Sequence, residues 1–185
     1  MSFRYRKLFQ LVLAAMFLAL AMVLPFLTGQ VPQIGNMLCP MHIPVLLCGF
    51  FCGPWYGGVV GAVAPVLRFV LFGMPPIFPV GTDMCFELAV YGVVSGTLYR
   101  RLPKKMGNVY ISLLAAMLAG RVMWGIVQVI IWGFGKSEFG WAAFLSGAFT
   151  TALPGIVLQI VLIPILVITV RNAVPMLSEG EDYGA

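Results

Sequence analysis

L-F-Q-L-V-L-A-A-M-F-L-A-L-A-M-V-L-P-F-L-T-G, from Leu8 to Gly29, runs for 22 residues without a charged side chain. Crossing about 30 Å of hydrocarbon takes about 20 apolar residues in a helix, so this stretch is long enough to span a bilayer. The rest of the chain is built alike. Of its 185 residues 61% are apolar and 9% charged, and mean hydropathy is +1.01. A soluble domain is about 45–50% apolar and about 25% charged. Eleven basic and six acidic side chains cannot cover the surface of a chain this size. Composition therefore excludes a soluble globular protein, a disordered chain and a soluble nucleic-acid binder. β-barrel alternation is absent, which leaves helices as the spanning structure.

Six candidate spans follow: Leu8–Gly29, Met37–Cys52, Gly57–Phe72, Asp83–Tyr99, Tyr110–Phe134 and Trp141–Val170. The second is short and interrupted by Pro40 and Pro44. The last is too long for one straight span and contains Pro154 and Pro164. It reads as a kinked helix or as a lead-in element followed by a helix. Arg4, Arg6 and Lys7 precede the first span, Arg100, Arg101, Lys104 and Lys105 follow the fourth, and Arg171 follows the sixth. These eight of the eleven basic residues share one side, while the other side holds only Lys136. The positive-inside rule then puts both termini in the cytoplasm. The expectation is an all-α polytopic membrane protein with one six-helix domain over residues 1–177 and a short acidic tail over 178–185. The first span lacks a signal-peptide cleavage pattern and reads as retained.

Local motifs exclude several activities. There is no G-x-x-x-x-G-K-[ST] loop for nucleotide, no H-E-x-x-H and no G-x-S-x-G, so no enzyme is expected. No channel-filter sequence occurs. Cys39, Cys48, Cys52 and Cys85 lack metal-ligand spacing, even with His42 three residues after Cys39; they read as small packing residues, and neither metal nor cofactor is expected.

Polar groups inside the spans carry the functional signal, because each intramembrane charge costs about 2.5–3.5 kcal/mol unless paired or liganded. Asn36, His42, Arg68, Asp83, Glu87, Arg121, Gln128, Thr150 and Gln159 all fall at the midplane or outward of it under this topology. Tyr91 and Trp124 add aromatic walls. The set describes a polar pocket opening outward above an apolar inner half. Each member has a plainer reading. Arg68 can pair with Glu87, Asp83 can cap the fourth span, and the glutamines can bond between helices. Gly92 and Gly96, like Ala15 and Ala19, form small-x-x-x-small faces for close helix approach, inside the bundle or outside it.

M-L-C-P-M-H-I-P-V-L-L-C-G-F-F-C-G (Met37–Gly53), G-G-V-V-G-A-V-A-P-V-L-R (Gly57–Arg68) and G-M-P-P (Gly73–Pro76) resemble the substrate-binding S components of energy-coupling factor (ECF) vitamin importers. F-E-L-A-V-Y-G-V-V-S-G-T-L-Y (Phe86–Tyr99) and A-G-R-V-M-W-G (Ala119–Gly125) are similar to the pantothenate branch of that family. The resemblance covers about residues 8–171. It implies a vitamin bound at the outer face of a bacterial plasma membrane protein, a partner T protein docked on Ala15 and Ala19, and two separate ATPase subunits. A carboxylate-bearing ligand would suit Arg121 or Arg68. Cobalt and nickel are disfavoured, since Ser2 stands where those S components carry histidine. Thiamine is less attractive, because the expected pocket holds two arginines. The alternatives from the residues are an ion-coupled secondary transporter, with Glu87 or Asp83 as carrier, and a non-transporting membrane scaffold.

Overall fold

The computed structural model describes residues 3–28, 38–103, 105–132 and 153–173, and every regular element among them is a helix. Helix α1 (Phe3–Val23) continues into a 3-10 turn at Leu24–Thr28; α2 is His42–Cys52 and α3 is Pro54–Phe72. An irregular turn at Ile77–Gly81 leads into α4 (Thr82–Arg101), followed by α5 (Met106–Trp132) and α6 (Leu153–Ala173). Among the described residues five stretches are long and apolar enough to cross a membrane: Tyr5–Phe26, Pro54–Phe72, Ile77–Arg101, Met106–Ile131 and Leu153–Asn172. The first part of the expected sixth span, residues 141–152, lies outside the described residues.

The expected second span takes a different form. Helix α2 has 11 residues, a rise of about 16 Å, or roughly half a hydrocarbon core. Pro44 is tolerated in its first turn, where backbone N–H groups have no helical partner. At the other end Gly53, with φ +91°, turns the chain directly into Pro54, the first residue of α3. All eleven residues of α2 are buried, and it packs against α1, α3, α4 and α6. It is thus a central peg with other helices around it. Its last carbonyl is satisfied inside the bundle: Arg100 donates from Nη2 to the Cys52 carbonyl at 3.0 Å. A cation at a helix C-terminus also opposes the macrodipole. Arg100, counted among the residues that set topology, has this structural task as well.

Glycine sets how closely these helices approach. A Cβ on Gly57 of α3 would come 2.8 Å from both the Gly49 Cα of α2 and the Gly92 carbonyl of α4. A Cβ on Gly92 would fall on the Gly57 backbone, and one on Gly96 on the Pro54 nitrogen. The Gly92–Gly96 face is therefore used within the bundle. We expect Gly92→Ala to lower stability by about 1–3 kcal/mol or more, since the obstruction is backbone. Gly107→Ala, where a Cβ meets nothing within 4 Å, should leave the melting temperature of the detergent-solubilised protein nearly unchanged. Equal melting of the two variants would refute the close crossing.

The outer faces are apolar. On α5 the exposed residues Ile111, Leu114, Leu118, Val122, Ile126 and Ile130 recur every three or four positions and form one stripe. Lipid tails are as apolar as leucine, so such a stripe costs nothing in a bilayer. Inward lie Leu113, Ala116 and Met117 of α5, packed with Leu46 and Phe50 of α2, Leu88 of α4 and Ile163 of α6 in one core.

The two ends of the bundle differ chemically. Arg100 at the C-terminal end of α4 meets the C-terminus of α2, and Glu87 in the first half of α4 lies 3.6 Å from His42 at the N-terminus of α2; these two helices run parallel. Helix α1 runs parallel to α3, because Met22 and Phe26 meet Arg68 and Phe72. The start of α1, with Arg6 and Lys7, thus shares one end with Arg100, Arg101 and Lys105. The N-termini of α2 and α4 point to the other.

Candidate functional site

Three short-range relations build the site. Glu87 is one helical turn beyond Asp83 on α4, so both carboxylates share a face. Arg121 and Gln128 are seven residues apart on α5, two turns on one face. Because α4 and α5 are joined by a short connection at the far end, they run antiparallel, and the two pairs meet in register. Arg121 Nη1 lies 3.0 Å from Glu87 Oε1, and the Gln128 amide donates to Asp83 Oδ2. His42, the first residue of α2, enters from a third helix with Nε2 3.6 Å from the same Glu87 oxygen.

An aromatic wall backs this cluster. The His42 and Tyr91 rings meet edge to face at 5.1 Å, and the Tyr91 phenol also faces Glu87. Gly120 makes room for it: a Cβ there would stand 2.9 Å from Tyr91 Cζ. In the A-G-R run the glycine thus receives the tyrosine and the next residue supplies the cation. Cys39, read from sequence as packing, has its sulfur 4.0 Å from Arg121 Nη2 and a left-handed backbone with φ +47°. Its spacing of three from His42 was the signal for it, although no metal group is formed: among the described residues no three His, Cys, Asp or Glu side chains are placed to hold an ion.

Burial is nearly complete. His42 is 3% exposed, Asp83 2% and Glu87 3%. Several of their polar atoms lack a hydrogen-bond partner among the described residues: both ring nitrogens of His42, Oδ1 of Asp83 and Nε of Arg121. A buried, unbonded polar atom costs about 1–3 kcal/mol. Asp83 does not cap α4 through its side chain, as expected from sequence, but accepts from α5. The helix N-terminus still favours its charge, by about 0.3–1 kcal/mol and up to about 2. That falls short of the roughly 2.5–3.5 kcal/mol for a carboxylate in the membrane interior. A site that keeps such atoms bare is arranged for something to complete it.

Not every expected residue joins. Arg68 does not pair with Glu87. Its Nη1 donates to the Met22 carbonyl at 2.8 Å, and its guanidinium lies 5.4 and 5.5 Å from the ring centres of Phe26 and Phe72. The cause is local: α1 ends beside α3, and the free carbonyl and two aromatic faces there take the cation first. Arg68 thus ties α1 to α3 and leaves the cluster with one arginine. Gln159 is 2% exposed with Oε1 unbonded among the described residues; its helix packs on α2 and α5. Trp124 is half-buried on α5, one turn past Arg121. Asn36 and Thr150 lie outside the described residues. Ala15 and Ala19 are away from the site, on the exposed face of α1.

The arrangement can bind and orient a small polar molecule. It presents one carboxylate–guanidinium pair, a second carboxylate, an imidazole and aromatic surface, all from rigid helices. The family model for the ECF transporter substrate-specific component matches residues 9–167. No curated protein and no solved structure matches the chain.

Proposed function

The chain belongs to the family of substrate-specific components of ECF transporters, and from that premise we propose that it binds a small polar vitamin at the cluster of His42, Glu87, Tyr91 and Arg121. The single observation that carries this reading is the buried cluster, with its unbonded His42, Asp83 and Arg121 atoms, at the end of the bundle away from the basic residues. By the positive-inside rule that end faces outward and both termini face the cytoplasm of a bacterial cell. Asp83, Gln128, Trp124 and Gln159 extend the binding surface. Asn36 and Thr150, at the same level in the sequence, complete the assignment. Arg68 supports the wall and does not touch the ligand. The carboxylate of pantothenate, to which the sequence resemblance points, would have to compete for Arg121 with Glu87, which already holds it at 3.0 Å.

The family works with a T protein and ATPase subunits, and this chain carries no nucleotide-binding loop of its own. We assign the exposed Ala15–Ala19 face of α1 to the T protein. Co-expression with the T protein and two ATPases of the same cell tests the reading. The expected result is a stable complex and ATP-dependent vitamin uptake by vesicles. Uptake without these subunits, collapsed by an ionophore, would replace the reading with an ion-coupled transporter that uses Glu87 or Asp83.

A further inference from the structure

Resting on this reading of the site, we propose that its ligand is a small organic cation whose positively charged nitrogen sits against Asp83. The argument is a charge count. Glu87 has its counter-ion in Arg121 at 3.0 Å. Arg68, the other intramembrane arginine, is held by the Met22 carbonyl and two phenylalanine rings. His42 has no hydrogen-bond partner on either ring nitrogen among the described residues. Its ring stands on the Glu87 side of the cluster, 3.6 Å from Oε1. No cationic side chain pairs with Asp83 among the described residues, and Asp83 is 2% exposed.

What surrounds Asp83 sharpens this. Its one side-chain partner among the described residues is the neutral Gln128 amide, on Oδ2. Oδ1 is buried and bare. Glu87, one turn on, adds a like charge and makes the carboxylate harder to leave uncompensated. A ligand ammonium, amidinium or protonated heterocycle would bond Oδ1 and bring the cluster to neutrality. An inorganic ion is the weaker occupant, since no three His, Cys, Asp or Glu side chains converge among the described residues. With Arg68 absent from the cluster, the reason for disfavouring a cation disappears.

Purified full-length protein should be titrated with thiamine and pyridoxamine as cationic probes, pantothenate and biotin as anionic ones, and riboflavin as a neutral one. The expected result is that a cationic probe raises the melting temperature and the others do not. Asp83→Asn should weaken that probe about 10- to 100-fold, the value of one charge-assisted bond, while Asp83→Glu retains part of the affinity. Binding of an anionic or neutral probe alone overturns the charge assignment and leaves the S-component reading in place. A shift produced by sodium or magnesium chloride alone overturns it in favour of an ion site. Binding of none of the five, with no assembly on the T protein, overturns both. If Asp83→Asn fails to fold, the selectivity of the native protein still decides.

Discussion

Arg121→Met is expected to lower stability by about 3–5 kcal/mol and to abolish ligand binding. The magnitude follows from what the substitution leaves behind. The side chains of Arg121 and Glu87 are 10% and 4% exposed, so removal of the guanidinium strands a carboxylate in the bundle interior, the costly way to break a buried pair. Only neutral or distant help remains beside the carboxylate, from the Tyr91 phenol and from His42 Nε2 at 3.6 Å, and Asp83 brings the same sign of charge. The double variant Arg121→Met with Glu87→Gln removes both charges and should recover most of the lost melting temperature, because replacing a buried pair by neutral groups is often close to neutral for stability. Binding should not return. That split between stability and binding separates a ligand site from a scaffold ion pair. A double variant that is stable and still binds its vitamin would show the pair to be structural only.

The membrane class and most of the helices were legible from hydropathy, because a bilayer demands length and apolarity and the chain shows both without ambiguity. The boundaries of α3, α4 and α5 sit close to glycine, proline and basic residues that any reading would pick out. Helix α2 was less legible. Its apolar residues could belong to a span or to a fully enclosed helix, and only the packing of α1, α3, α4 and α6 around it separates the two. Within the site, the i, i+4 spacing of Asp83 and Glu87 and the seven-residue spacing of Arg121 and Gln128 placed these groups on their own helices. Which carboxylate met which partner depends on the α4–α5 register, set by the seat of Tyr91 on Gly120 and a short connection. Arg68 shows the limit. From sequence it is one more intramembrane charge at the same level as the others. Its partner is a main-chain carbonyl at the end of α1, and every helix end offers such a group. Cys39 is similar: its spacing of three from His42 marks it in the sequence, but not the guanidinium nitrogen 4.0 Å from its sulfur.

Replacing Ala15 and Ala19 together with leucine or tryptophan should take vitamin uptake to background while leaving vitamin binding intact. Helix α1 turns Ala14, Phe17, Ala21 and Met22 into the bundle, and these make its packing with α2 and α3. Ala15 and Ala19 are exposed on the flank of the helix, beside the exposed Val12, Met16, Leu20 and Val23. A larger apolar side chain there displaces lipid alone, which is as apolar as the side chain itself, so the fold should not change. The binding cluster belongs to α2, α4 and α5; α1 contributes the Met22 carbonyl that holds Arg68. Two alanines one turn apart leave a shallow strip between bulky neighbours, the shape that lets a partner helix come close; filling the strip removes the approach without touching the ligand. Leu118→Trp, on the lipid-facing stripe of α5, is the comparison. If it stops uptake while the α1 variant transports normally, the T protein docks on α5. If the α1 variant loses binding yet still assembles with its partners, Ala15 and Ala19 act on the ligand site, and the division of labour between α1 and the α2–α4–α5 cluster is refuted.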